Sequence, residues 1–368
     1  MAEIRALRED DIPAVAGLFQ RIFRRRDPPP PASLVADLRA VYLEDSATDP
    51  ELPSLVHVDH GEVRGFIGRH ALPMVLEDRP LRMALCSSIM VDHANAGPLA
   101  GAKLLKAALS GPQDLSFTDT ASDVSLRMWR GLGAAALPQH SLDWIRIVNP
   151  AAALADAAAH RLPFLRHAVP LAHSAGRRFL REGSDVMRWS GMPATIGQKG
   201  LVTRPIGAEE FAEIFTICTG RFALRPGWSP EVTAAQVRKA MPKPSFGEPI
   251  IGGVFDRREA PVGAFFYHLR PKSTARVLQL LAVPGQEGPV LDATLADAAA
   301  RDASTVRGRM HPAFMEAMLG RRLVLFHASA SIIHSRDAQI AATACAGEAF
   351  VNGLAGEQWS RLIGSENG

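Results

Sequence analysis

The stretch Ile89-Met90-Val91-Asp92-His93-Ala94-Asn95-Ala96-Gly97-Pro98-Leu99-Ala100-Gly101-Ala102-Lys103-Leu104-Leu105 carries the most structural information in the chain. Its first three residues end an apolar run of strand length, 83–91. A short loop with Gly97 and Pro98 follows. Residues 100–109 are then a compact run of Ala, Leu and Lys, which favours helix. An apolar strand feeding a helix through a few residues points to an α/β arrangement with helices packed on a sheet.

The elements on either side agree. Residues 4–7 read as a short strand. Glu9, Asp10 and Asp11 then precede Ile12, Val15, Leu18, Phe19 and Ile22, which share one face of a helix that ends in Arg24, Arg25 and Arg26. Acids at the start and cations at the end suit the helix dipole, so the triple arginine reads as a solvated helix end. Pro28 to Pro31 stop this helix. A second helix fits 33–43, and a hairpin fits 54–58 and 63–69 about Asp59-His60-Gly61. Beyond the opening stretch come a strand at 115–118, a helix at 124–132 closed by Gly131 and Gly133, and a strand at 142–148, expected to end the first sheet.

The pattern then breaks. Residues 151–200 hold seven Lys/Arg against three Asp/Glu in a chain whose net charge is +3. Prolines and glycines recur there, so 150–200 reads as a basic helical connector. From 201 the order restarts: a strand at 201–204, a helix opened by Glu209 and Glu210, a helix at 231–241, and a hairpin of 250–255 with 261–269. A strand at 275–283, a helix at 290–301, and further elements at 305–310, 313–319 and 323–326 follow. A repeat at about 200 residues is a domain duplication, not a solenoid. The expected organisation is a first domain over 1–149, the connector, and a second domain over 201–368 with a C-terminal extension. Each domain is expected to be a mixed, mostly antiparallel sheet flanked by helices.

Composition agrees. At 368 residues the chain exceeds the size of one ordinary core, and 47% hydrophobic with 21% charged residues is a globular mix. No apolar run reaches the roughly 18 residues of a membrane span, and no secretory signal opens the sequence, so a cytoplasmic protein is expected. Cys86, Cys218 and Cys345 lie too far apart for a disulfide framework or a C-x-x-C site, and the histidines never show H-E-x-x-H spacing, so no metal site is expected.

Three places resemble the GCN5-related N-acetyltransferase (GNAT) superfamily, here in tandem. They are the opening Ile4-Arg5-Ala6-Leu7-Arg8-Glu9-Asp10-Asp11-Ile12, the stretch 89–105, and Ser122-Asp123-Val124-Ser125-Leu126-Arg127-Met128-Trp129-Arg130-Gly131-Leu132-Gly133-Ala134. The second is similar to the strand, loop and helix that hold the coenzyme A pyrophosphate, where backbone N–H groups converge at a helix N-terminus. The resemblance implies acetyl-CoA or another acyl-CoA as co-substrate, a primary amine of a small molecule (an amino sugar or amino acid) as acceptor, and transfer between them. It places the cofactor on Met90, Val91, Ala96, Gly97, Leu99, Ala100 and Gly101. Relative to the family's Gln/Arg-x-x-Gly-x-Gly/Ala pattern, Ala96 and Leu99 are departures and Gly101 is a match. The second half has only Val283-Pro284-Gly285-Gln286-Glu287-Gly288-Pro289 at the corresponding place, where Glu287 would repel a phosphate.

The resemblance also frames the chemistry. The thioester carbonyl is expected to take a backbone N–H near Met90 or Val91. The strand 83–91 has no carboxylate, so Asp92, His93 and Ser88 are the candidates for catalysis, with capping of the following loop the simpler role for Asp92. Cys86 reads as inert core. Asp119 and Asp123 are candidates for attracting an amine, against helix capping by Ser122 or Asp123 before Val124. Trp129 stands where the family places an acidic tyrosine and cannot serve as one. Arg307 and Arg309 share a strand face that could meet an anion or solvent. The closing stretch 346–359 loosely resembles tails of tandem GNATs linked to surface-polysaccharide synthesis. A Fem-like aminoacyl-tRNA user, with Arg161, Arg166, Arg177, Arg178 and Arg181 on the RNA, and a catalytically degenerate binding or scaffold protein are the alternatives. Nucleic acid is otherwise not expected as a partner, nor is a membrane.

Overall fold

A computed structural model describes residues 2–26, 29–161 and 200–363; most of the basic connector lies outside them. Two mixed sheets form the molecule. The first has the order β1 (Glu3–Ala6), β2 (Leu55–Asp59), β3 (Glu62–Leu76), β4 (Arg79–Val91), β5 (Leu115–Ala121), β15 (Ala330–Ser335) and β6 (Ala135–Ala136), with β9 (Leu224–Pro226) also paired to β3. The second has the order β14 (Val324–His327), β7 (Leu142–Ile147), β13 (Thr305–Arg309), β12 (Thr274–Ala282), β11 (Pro261–Leu269), β10 (Glu248–Phe255) and β8 (Val202–Pro205).

The helices are α1 (Ile12–Arg24), α2 (Ala32–Tyr42), α3 (Ala100–Leu109), α4 (Asp123–Gly131), α5 (Pro150–Arg161), α6 (Ala208–Thr219), α7 (Pro230–Ala240), α8 (Glu287–Ala300), α9 (Met315–Met318) and α10 (Ala338–Cys345). Local sequence explains most of them. α1 buries Ile12, Val15, Ala16, Leu18 and Phe19 on one stripe. Ser122 Oγ accepts from Ser125 N at the start of α4, and Ser229 does the same for Val232 at α7, where Pro230 takes the first helical position.

One expectation is overturned. The strand at 142–147 does not end the first sheet; it pairs antiparallel with β13 and β14 in the second. Its place beside β5 is taken by β15, from the far end of the chain. The hydrogen-bonding edge of β5 is satisfied either way, and a sequence pattern cannot say by which strand. The exchange ties the halves together. A single core joins Leu72, Met83 and Phe117 of the first sheet to Phe266 and Leu281 of the second and to Phe211 and Phe215 of α6, and Phe350, Val351 and Leu354 of the C-terminal segment pack into it.

Both sheets open in the same way. β4 and β5 run parallel and pair only over Met83–Leu85 with Leu115–Phe117, then diverge. β12 and β13 pair over Thr274–Val277 with Thr305–Gly308, then diverge. The segment 350–363 walls the first opening and fills the second.

Candidate functional site

The first opening is shaped by a bulge in β4. Gly68 of β3 faces Ser87 and Phe66 faces Met90, so Ser88 and Ile89 stand opposite Ile67 alone. Ser88 takes the irregular conformation, with φ +52°. The bulge turns the strand outward and leaves it unpaired where it faces β5. A pocket of about 90 Å³ results, lined by Ser87, Ser88 and Ile89 on one side and by Thr118, Thr120 and Ser122 on the other, with Trp129 and Phe23 closing it.

Two side chains that sequence reasoning did not single out hold this pocket from behind. Tyr42, at the end of α2, is buried and donates to Ser88 Oγ at 2.9 Å; its hydroxyl also lies 3.0 Å from Ser87 Oγ. Burial pushes the phenol up to about 12. The ring fits because residue 68 is glycine: a Cβ there would lie 2.2 Å from it. On the other wall, Glu357 comes from the C-terminal segment. Its carboxylate accepts Thr118 Oγ1 and Thr120 Oγ1 at 2.7 Å each, and the Asp119 N–H at 3.1 Å. Burial, and then the neighbouring Asp119 carboxylate, push Glu357 up to about 8 against the opposing pull of these donors.

Asp119 is buried beside Glu357, and its Oδ1 accepts the Glu357 N–H at 3.1 Å. Burial raises its pKa, opposed by Arg309. Its carbonyl accepts from Arg309 Nη2 at 2.9 Å. Thus Asp119 belongs to an acid pair behind the pocket wall. Asp123 is exposed in the first turn of α4, which Ser122 caps.

The loop residues fall elsewhere. Asp92 anchors the loop: it accepts from Asn95 Nδ2 at 3.0 Å and Arg64 Nη1 at 3.3 Å, and its carbonyl receives the N–H groups of Asn95 and Ala96. Burial works to raise its pKa, but Asn95, Arg21 and Arg64 outweigh it and hold the carboxylate below its usual range. His93 is exposed on the loop and does not line the pocket. Met90 and Val91 stand in register with Phe66 and Gly65, one step past the bulge, and both are buried. Cys86 is buried and its thiol is pushed up to about 12 by burial, so it stays a thiol. Trp129 is buried in the core between α3, α4 and the sheet.

The helix end after the loop suits an anion. α3 starts at Ala100 with Leu99 at its cap position and no side-chain cap, so its first-turn N–H groups are not taken up by a side chain. Gly97 is exposed with open space around it, whereas a Cβ on residue 101 would lie 3.3 Å from Met128 Sδ and 3.4 Å from Val91 Cγ2. Gly101 therefore serves helix packing, and the N-terminal approach lies at Gly97 and Leu99.

The second opening is filled by the chain itself. Leu354 N donates to Gln279 Oε1 at 3.1 Å, and Asn352 bridges His140 Nδ1 at 2.7 Å and the Met310 carbonyl at 3.0 Å. Gly353 has φ +66°, and a Cβ on it would lie 2.2 Å from Gln279 Oε1. About 20 Å³ remains. Arg309 is largely withdrawn from solvent, whereas Arg307 is partly exposed. Both pair with Asp143, and Arg309 also donates to the carbonyls of His140, Asp119 and Ser329. Among the described residues no group of three or more His, Cys, Asp or Glu could hold a metal ion, and no helix is long and apolar enough to cross a membrane.

No family model matches the sequence, and no curated protein matches it. Solved structures do match. The chain is 16% identical to a GCN5-related N-acetyltransferase from Kribbella flavida, over 92% of this chain and 72% of that one, with a TM-score of 0.56. A GCN5-related N-acetyltransferase from Anabaena variabilis matches at 11% identity over 92% and 73%, with a TM-score of 0.57. A protein of unknown function and probable N-acyltransferase from Enterococcus faecalis matches at 10% over 91% and 73%, with a TM-score of 0.56.

Proposed function

From a chain with the fold of the GCN5-related N-acetyltransferases, we propose an N-acyltransferase that moves an acyl group from coenzyme A to a primary amine in the first opening. The observation that carries this reading is the bulged, diverging β4 facing two threonines that both donate to one buried carboxylate.

In this reading the thioester enters between β4 and β5. The unpaired backbone at Ser88–Ile89 polarises its carbonyl, as an oxyanion site requires. The N-terminus of α3, approached past Gly97 and Leu99, takes the pyrophosphate. Thr118 and Thr120 line the pocket and spend their hydroxyl protons on Glu357, so their lone pairs face an incoming amine. The amine proton passes through a threonine to Glu357 as the C–N bond forms and the C–S bond breaks. The thiolate leaves into water and is protonated there. Tyr42 acts as a positioning residue: a phenol held near 12 is a weaker acid than an ordinary thiol and fixes Ser88 instead of protonating the leaving group. The second domain, with its opening filled by Asn352–Leu354, completes the site by presenting Glu357.

Titration calorimetry with acetyl-CoA on the protein and on Gly97→Asp tests the reading. Residue 97 has room for the side chain, so the variant adds a charge without disturbing packing. Micromolar binding that Gly97→Asp weakens at least tenfold is expected. Folded protein that binds neither acetyl-CoA nor coenzyme A would overturn the reading and leave a non-catalytic scaffold.

A further inference from the structure

A larger cavity lies away from the acyl pocket. It measures about 600 Å³ and sits between residues 46–50, the β3–β4 hairpin at Ala71–Pro73 and Leu81–Arg82, and one side of α7. That volume is typical of small-molecule sites. Its walls are mostly apolar: Leu72, Pro73, Leu81, Trp228, Val232 and Ala235. Phe215 stacks on Trp228 at 5.8 Å and holds the indole in place.

The charges around it do not balance. Lys239 on the wall is bound to Asp45 at 2.9 Å and to Ser46 Oγ at 2.8 Å. Arg82 on the opposite wall is paired with Glu51 at 2.7 Å and Asp49 at 3.7 Å. Asp114 also accepts the Arg82 N–H at 2.7 Å, so four carboxylates surround the two cations, and of the four only Asp49 lines the cavity. An anionic ligand would find both cations taken and a negative surplus. A ligand with one positive charge would meet Asp49, and its apolar body would cover Trp228 and Val232.

The cavity is separate from the acyl pocket. Trp359, whose ring lies 5.9 Å from Lys239 Nζ, packs against His70 at 5.1 Å, and His70 packs against Tyr42 at 5.3 Å. All three aromatic side chains are buried, and they form the partition behind Ser88.

We infer that this cavity is a second small-molecule site, for an amphipathic monocation: an aromatic or aliphatic body carrying one ammonium group. The inference does not depend on acyl transfer, and its test contains no acyl-CoA.

Three probes of similar shape decide it: phenethylammonium, 2-phenylethanol and 3-phenylpropionate. Each is titrated into the full-length protein at low ionic strength and followed by calorimetry and saturation-transfer NMR. Phenethylammonium is expected to bind about three- to tenfold more tightly than the alcohol, the size of one partly exposed ion pair. The propionate is expected to bind most weakly. Val232→Trp fills the cavity from a position that is half exposed and therefore tolerant; it should abolish binding of all three. Asp49→Asn keeps the oxygen that accepts Glu51 N and should bring the ammonium probe down to the alcohol. Equal or tighter binding of the propionate, binding that survives Val232→Trp, or no binding by any probe would each overturn the site.

Discussion

Glu357 is a carboxylate whose neutral form is favoured by burial and by a second acid, yet it is held by three donors that suit its charged form. Its raised pKa means that the folded chain binds more protons than the unfolded chain between the ordinary carboxylate range and about pH 8. Stability is therefore lost as pH rises through that window. In Glu357→Gln the window should vanish: the Tm of the variant relative to the wild type should climb from pH 5 to pH 8 and level off above it. In an amine-acylation assay the same variant should lose at least a hundredfold in kcat, together with the wild-type rise in rate near pH 8. Unchanged kcat with a changed Tm profile would make Glu357 purely structural. A second residue-scale prediction concerns Gly68. Gly68→Ala drives a methyl into the Tyr42 ring and should cost about 1–3 kcal/mol in urea unfolding, whereas Tyr42→Phe should cost about 1 kcal/mol for its lost hydrogen bonds. Neither Tyr42 nor Glu357 was legible in the sequence, because each meets the site through contacts across tens or hundreds of residues. The Ser122 cap and the loop-anchoring Asp92 were legible, because their partners lie within three or four positions.

At the scale of elements, the 89–105 stretch reads as it folds, since a strand ending, a glycine-containing loop and a helix start are all local events. The C-terminal segment is the opposite case. Residues 350–363 carry no periodicity, and their glycines, Gly353 and Gly356, make sense only against the residues they touch: Gln279 at one opening and Asp119 at the other. Lys243 fastens the end of this segment. It is buried and donates to the carbonyls of Ser360 at 2.7 Å and Ile363 at 2.8 Å. Burial lowers its pKa to about 7. The folded chain then binds fewer protons than the unfolded chain between about pH 7 and the usual lysine value, so stability rises with pH across that window, and the full cost is carried below it. Lys243→Gln keeps a donor and removes the charge. Its Tm should exceed that of the wild type at pH 6, and the difference should shrink toward pH 10; a constant difference would mean that the ammonium is not desolvated in the folded chain.

For the whole molecule, the decisive feature is the exchange of strands. A repeated order of elements suggests two independent sheets, and each half does contain strands and helices where they are expected. The pairing is set by contacts no local pattern encodes: Thr118 with Ile332 in one sheet and Gly308 with Trp144 in the other. Residues 1–149 alone would lack β15 and leave β5 with an open edge beside the exposed apolar side chains of the shared core, a template for aggregation. The two halves should consequently unfold together. Urea unfolding followed by far-ultraviolet circular dichroism and by tryptophan fluorescence should give coincident transitions, although a chain of this size with two free-standing domains would ordinarily show two. A fragment of residues 1–149 should be insoluble or bind hydrophobic dyes without a cooperative transition. Two separated transitions in the full chain, or a soluble and cooperatively folding fragment, would show that the exchanged strands add little to either sheet.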